Sequence, residues 1–232
     1  MNHHTISVGH VQYDVYLFVY EPVASNMYFI PVGETGIVFD PNINEGLLPL
    51  FEQYGIKRLQ IILTHEHYDH TTGVEWLQQR METSVFCHQD CAKYICSENG
   101  NTPRLVAMAL RTKDLADGGH RCEDFMAKYK PYVLKADNVF TYQEKLTIEK
   151  LTFECYSTPG HSPGSACYII DGKYIFTGDS LIQNAPTITR FRTSNNETYE
   201  NVTRPFLRSL DKEMIVLPGH GEPFKIKEAK YL

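Results

Sequence analysis

At 232 residues, 42% of them hydrophobic, the chain is long enough to bury one large core. Its net charge of −6 excludes a protein-wide basic surface for nucleic acid, and no Lys/Arg run is longer than the pair Lys57-Arg58. No apolar run approaches the roughly 18 residues of a membrane span, the amino terminus lacks an export signal, and six scattered cysteines form no paired framework, so a cytoplasmic protein with reduced thiols and no membrane partner is expected.

Taken in chain order, His3 and His4 read as a frayed terminus. Asp14 to Tyr20 and Met27 to Val32 are aromatic-rich strands, and a turn at 33–36 leads into the strand Ile37-Val38-Phe39-Asp40, which predicts a meandering sheet. Asp40-Pro41 closes that strand, and Glu45 to Tyr54 before Gly55 predicts a helix with a C-terminal glycine. Leu59 to Thr64 is a buried strand running straight into Thr64-His65-Glu66-His67-Tyr68-Asp69-His70. A helix follows over Gly73 to Arg80. Cys87-His88 with Cys91, and His120 with Cys122, match no tetrahedral metal spacing and read as packing residues.

The segment from about 97 to 135 is an insertion in which Arg104 to Lys130 forms helical pieces broken at Gly118-Gly119. It serves either as a lid over a pocket or as a cover for one sheet. Tyr168 to Phe176 is a hairpin centred on Asp171-Gly172, since Asp-Gly tolerates the positive φ of a tight turn. Its second strand leads to Thr177-Gly178-Asp179. Gln183 to Thr193 is a loop carrying Arg190 and Arg192, with a helix beginning near Ser194 or Asn195. Met214 to Leu217 is a strand that ends at Pro218-Gly219-His220. The pattern predicts mixed α and β structure in one domain spanning 1–232.

Seven side chains of metal-liganding type therefore fall in four short segments, each after an apolar run: His65, His67, Asp69 and His70, then His161, Asp179 and His220. His65 and His67 are two apart and cannot share a helical face, so they sit on a loop. Any one of these histidines alone is better read as a core or surface residue. Seven at strand ends are better read as ligands of zinc or a related metal.

His-x-His-x-Asp-His after a strand, a distant His161, Gly178-Asp179 and Pro218-Gly219-His220 together resemble the metallo-β-lactamase superfamily of hydrolases over nearly the whole chain. Thr158-Pro159-Gly160-His161-Ser162-Pro163-Gly164-Ser165 and Phe176-Thr177-Gly178-Asp179-Ser180-Leu181 resemble, more narrowly, its glyoxalase II group. The resemblance implies an α+β fold, a four-layered αββα sandwich with metals at one edge between the sheets and a helical insertion at about 97–135. It implies that His65, His67 and His161 hold one metal, that Asp69, His70 and His220 hold another, and that Asp179 bridges them. The cofactors would be two divalent ions, zinc with iron or manganese as alternatives. A hydroxide shared by them would attack a small-molecule thioester or ester, with Asp69 orienting it.

Asp40 would lie beside the ligands, although a plain strand terminator is an equal reading. One of Arg190 and Arg192 would grip a substrate carboxylate, against the alternative of solvated arginines. Twelve residues follow His220, where glyoxalase II enzymes continue into a helical region that helps bind glutathione. A general thioester or ester hydrolase is therefore expected rather than an enzyme specific for S-lactoylglutathione. A Cys in place of Asp179 would mark the commonest secreted β-lactamases, and a Glu in place of His67 a flavodiiron reductase. The competing readings are a mononuclear iron persulfide dioxygenase using His65, His161 and Asp179, a lactonase, and a non-catalytic metal-binding member. A homodimer is compatible with all of them.

Overall fold

The computed structural model describes residues 1–97, 103–130 and 132–232. Among these, strands β1 (Asn2–Val8), β2 (Val11–Tyr20), β3 (Ser25–Val32) and β4 (Thr35–Phe39) form an antiparallel meander. Strands β5 (Arg58–Ile62), β6 (Glu82–His88) and β7 (Asn138–Phe140) extend the same sheet in parallel. The second sheet holds β8 (Gln143–Ile148), β9 (Leu151–Ser157), β10 (Ala166–Ile170), β11 (Tyr174–Gly178), β12 (Ile215–Pro218) and β13 (Phe224–Lys225). It runs in the spatial order β13-β12-β11-β10-β9-β8 and is antiparallel except for β11 against β12.

Parallel neighbours need crossovers, and helices supply them. Helix α1 (Leu48–Tyr54) joins β4 to β5, and α2 (Val74–Gln78) joins β5 to β6. Between β6 and β7 lie α3 (Gln89–Ile95), α4 (Arg104–Asp117) and α5 (Arg121–Lys128). Between β11 and β12 lie α6 (Asn196–Thr198), a π-helical stretch Tyr199–Thr203 and α7 (Arg204–Ser209).

The strand period of two sorts side chains between layers. On β3, Tyr28, Ile30 and Val32 face the second sheet, while Met27 and Phe29 face α1. On β10, Ala166, Tyr168 and Ile170 enter the same inter-sheet core, while Cys167 and Ile169 pack outward with Leu207 of α7. Phe39 of the first sheet stacks on Phe176 of the second, 3.9 Å between centroids. Each such fully buried side chain contributes about 1.5–3 kcal/mol. Helices thus cover both outer faces, and the layering is the α+β sandwich expected from the motifs.

The helix before Gly55 forms as predicted, its first turn tightened to a 3-10 turn over Glu45–Leu47 and its end capped by Gly55 at φ 61°. The hairpin between β10 and β11 turns through Asp171 and Gly172, both at positive φ. The amino terminus is a correction: His3 pairs with Tyr16 across β1 and β2, its ring lies 4.8 Å from that of Tyr16, and its Nε2 is 2.8 Å from Asp14. A neighbouring strand orders what composition alone leaves loose. The insertion is helical as α4 and α5, broken at Gly118; its residues 98–102 and 131 lie outside the described residues.

Candidate metal centre

The residues that end the strands also build the site. After β5, the Thr64 carbonyl accepts from the Ala166 amide at 2.8 Å, which ties the two sheets together at this edge. The chain then leaves the ladder and closes one 3-10 turn over Tyr68–His70. Asp40, buried at the end of β4 with φ 49°, accepts from the Thr64 amide (2.7 Å), the Thr64 hydroxyl (2.6 Å) and His70 Nδ1 (2.9 Å). Asp is among the few side chains that tolerate this left-handed conformation, because it bonds locally. Asp40 therefore ends a strand and fixes the candidate ligand His70 at once.

Two glycines admit Asp179. A Cβ on Gly178, at φ 48°, would lie 2.2 Å from Thr64 Oγ1, and one on Gly219 would lie 2.3 Å from Asp179 Oδ1. Asn26 clamps the Pro218–Gly221 turn, donating its amide to Gly219 and its side chain to Pro218 and Gly221.

The ring nitrogens are oriented from behind. The Thr64 hydroxyl gives its proton to Asp40, so it accepts from His65 Nδ1 at 3.0 Å. His161 Nδ1 donates to the Ile188 carbonyl (2.9 Å), His70 Nδ1 to Asp40, and His220 Nδ1 to the Ala24 carbonyl (3.1 Å). Each of these four rings consequently turns its Nε2 to the centre, the arrangement by which outer partners fix metal ligands.

His65 Nε2 and His161 Nε2 lie 3.1 and 3.0 Å from His67 Nδ1. A proton on His67 could satisfy only one of them; a cation satisfies all three. Asp69 Oδ2 lies 3.5 Å from both His70 Nε2 and His220 Nε2. Asp179 stands between the two groups, with Oδ1 3.5 Å from His70 and Oδ2 3.5 and 3.4 Å from His161 and His220. Buried His70 Nε2 and Asp179 Oδ1 have no hydrogen-bond partner among the described residues. This donor set of imidazoles and carboxylates fits divalent metal ions. Asp40, though close to His65 and His70, already serves the far side of His70 and is a partner of the ligands rather than one of them.

Electrostatics agree. Burial, reinforced by neighbouring imidazoles, holds His65 far below its usual range and His67 down to about 3; burial also lowers His161. These three stay neutral, as metal ligands must. Burial works against ionisation of Asp69, but His70 and His220 outweigh it and bring the carboxyl to about 2. Burial lowers His70, and Asp69, Asp40 and Asp179 overcome it to reach about 9. In the ion-free protein His70 therefore carries a proton that a cation would displace.

A cleft of about 1000 Å³ opens at His67, bordered by Lys93, Tyr94, Phe191 and Arg192. Of the two arginines expected near a substrate, Arg192 borders this cleft, whereas Arg190 is exposed and outside its lining. Glu66 forms the cleft's inner wall; it is buried, with Oε2 accepting from Ser162 Oγ at 2.9 Å. Glu66 lies between His65 and His67 in the motif, and no pattern in the sequence marks its burial or its Ser162 partner. The carbonyls of Ala24 and Ile188 carry no sequence signal. Cys87 and Cys91 are core residues, and His88 caps α3, so the packing reading of that cluster stands.

Among the described residues no helix is long and apolar enough to cross a membrane. The metallo-beta-lactamase superfamily model matches residues 20–220. The probable metallo-hydrolase YqgX of Bacillus subtilis is 27% identical over 203 residues, 86% of each chain. The hydroxyacylglutathione hydrolase GloC of Haemophilus influenzae is 26% identical over 188 residues, 80% of this chain and 79% of that one. Among solved structures, the BLEG-1 B3 metallo-beta-lactamase superposes with a TM-score of 0.69 at 25% identity, covering 92% of this chain and 95% of its own.

Proposed function

Because the chain belongs to the metallo-beta-lactamase superfamily, we propose that it is a metal-dependent hydrolase that cleaves a thioester or ester carrying an anionic group. The observation that carries this reading is the position of Asp179, whose two oxygens lie within 3.5 Å of nitrogens from both ligand groups. His65, His67 and His161 would hold one divalent ion and Asp69, His70 and His220 another, with Asp179 shared. Zinc suits these donors, and iron or manganese are the alternatives. Bound ions would polarise the substrate carbonyl and activate water near neutral pH.

The chain's own side chains do the rest. Asp69, ionised between His70 and His220, would accept a hydrogen bond from the attacking water and orient it. Arg192 at the rim of the cleft holds the anionic group by charge-assisted hydrogen bonds. Likeness to the hydroxyacylglutathione hydrolase GloC supports a thioester as the scissile group.

The test is elemental analysis of protein purified without added metal, followed by a panel of thioesters, esters and lactones. About two divalent ions per chain with thioester turnover is the expected result. About one iron per chain without hydrolysis would instead support the oxygenase. His67→Ala should abolish turnover while the far-ultraviolet circular dichroism stays that of the parent.

A further inference from the structure

Two spaces flank the turn that carries His67 and Tyr68. Besides the cleft at His67, a separate cavity of about 530 Å³ is lined by Tyr20, Tyr68, Leu110, Phe125 and Tyr129. Successive residues of the ligand turn face the two spaces: His67 borders the cleft and Tyr68 the cavity. Helix α4 walls both, with Leu105 on the cleft and Leu110 on the cavity, about 7.5 Å apart at 1.5 Å per residue. Tyr20 ties the cavity to the metal side: it pairs with Ser25 across β2 and β3, and the Ser25 hydroxyl donates to the Asp69 carbonyl at 3.0 Å.

The two spaces differ in chemistry. The Tyr68 ring meets Phe125 at 5.7 Å and Tyr129 at 5.5 Å, so the cavity wall is a cluster of aromatic edges and faces. Two of the cations at its rim are engaged elsewhere: Lys113 donates to the Pro22 carbonyl, and Arg121 forks onto Asp114 and Asp117. The cleft carries Arg192 at its rim, with Lys93 paired to Asp90 of the same lining. A substrate that straddles this turn with its scissile carbonyl over the metals has one half at the cleft and the other at the cavity.

We propose that the Tyr68–Phe125–Tyr129 cavity is the acyl site and that it selects an aromatic or bulky apolar acyl group, the anionic thiol half lying in the cleft. This rests on the hydrolase reading above. Hydrolysis adds one water across the C–S bond: oxygen joins the acyl carbon, the bond pair leaves with sulfur, and the thiol and the carboxylic acid depart on opposite sides. Filling the cavity removes the acyl group from water, and an apolar pocket discriminates by about tenfold or more for a group of this size.

The experiment compares acetyl, butyryl and phenylacetyl thioesters of mercaptosuccinate with the metal-loaded protein and with Phe125→Ala and Tyr129→Ala. Calorimetry runs in parallel on the non-hydrolysable S-ethyl and S-(2-phenylethyl) thioethers. The expected result is a kcat/KM for phenylacetyl about tenfold above acetyl, set by KM, with the same order among the thioethers and a ratio that collapses in both variants. A wild-type ratio near one, or a ratio kept in both variants, overturns the assignment. Selective thioether binding without turnover of any thioester would uphold the cavity and remove the hydrolase reading instead.

Discussion

At the scale of the single residue, the centre depends on groups that never touch a metal. Glu66 separates His65 from His67 and links their loop to the His161 loop through Ser162. Burial pushes its carboxyl from 4.5 up to about 7, against hydrogen bonds from Ser162 and the backbone. A folded value above the unfolded one means stability that is fully present below 4.5 and is lost as pH rises through about 7. Glutamine keeps the acceptor for Ser162 and cannot ionise. In chelator-treated protein, Glu66→Gln should therefore gain on the parent by as much as about 3 kcal/mol between about pH 5 and about pH 8. Denaturant unfolding of both proteins at the two pH values measures this, because every other titrating group is common to both and cancels. A difference that stays flat with pH would mean that Glu66 is ionised throughout and held by contacts other than those identified.

At the scale of the element, the strand ends aim the ligands, and glycines at those ends decide whether the aim is possible. Gly219 has no positive φ, but a methyl there meets Asp179 Oδ1 at 2.3 Å and the Gly178 backbone at 2.8 Å. Gly219→Ala should displace Asp179 and weaken metal binding by about 10–100-fold, the range seen when a ligand's support is lost, while circular dichroism stays near the parent's. Gly172→Ala at the β10–β11 tip is the matched control: φ 61° with nothing within 4 Å of the new methyl. It should cost about 1–2 kcal/mol of stability and leave metal affinity alone. Metal-buffer titration of the two variants separates aim from strain, and equal affinities would sink the steric account of Gly219. The same elements show what sequence can carry. Apolar runs ending in His, Asp or Gly-His located the ligand loops, since strands report themselves by period and breakers. Arg192 at the cleft and Arg190 outside it could not be told apart, because two residues in one irregular loop point by tertiary packing. The orienting carbonyls of Ala24 and Ile188 are backbone atoms that any residue would supply.

At the scale of the whole molecule, the candidate ligands come from both sheets: His65, His67, Asp69 and His70 follow β5 of the first, while His161, Asp179 and His220 lie at the ends of β9, β11 and β12 of the second. Ions bound among them would join the two sheets at one edge, and the folded chain alone assembles the full set, so metal binding feeds directly into stability. Free metal at about 100 times its dissociation constant would add about 2.7 kcal/mol, which in a chain of this length moves Tm by about 5–10 °C. Scanning calorimetry of chelator-treated and reloaded protein at one pH checks the shift, and a Tm unchanged by reloading would mean that the centre is not metal-bound. The two ligand groups should also separate under graded loading. His65, His67 and His161 are already neutral in the ion-free protein, whereas His70, held up to about 9 by its three neighbouring carboxylates, and His220, held well above its usual range by Asp179 and Asp69, must each give up a proton. The first equivalent of metal should therefore bind with little proton release and little change with pH, and the second should release about two protons and tighten as pH rises toward about 9. Calorimetric titration in buffers of different ionisation enthalpy reads that difference directly, and two equivalents with identical proton release would show that the two groups titrate as one.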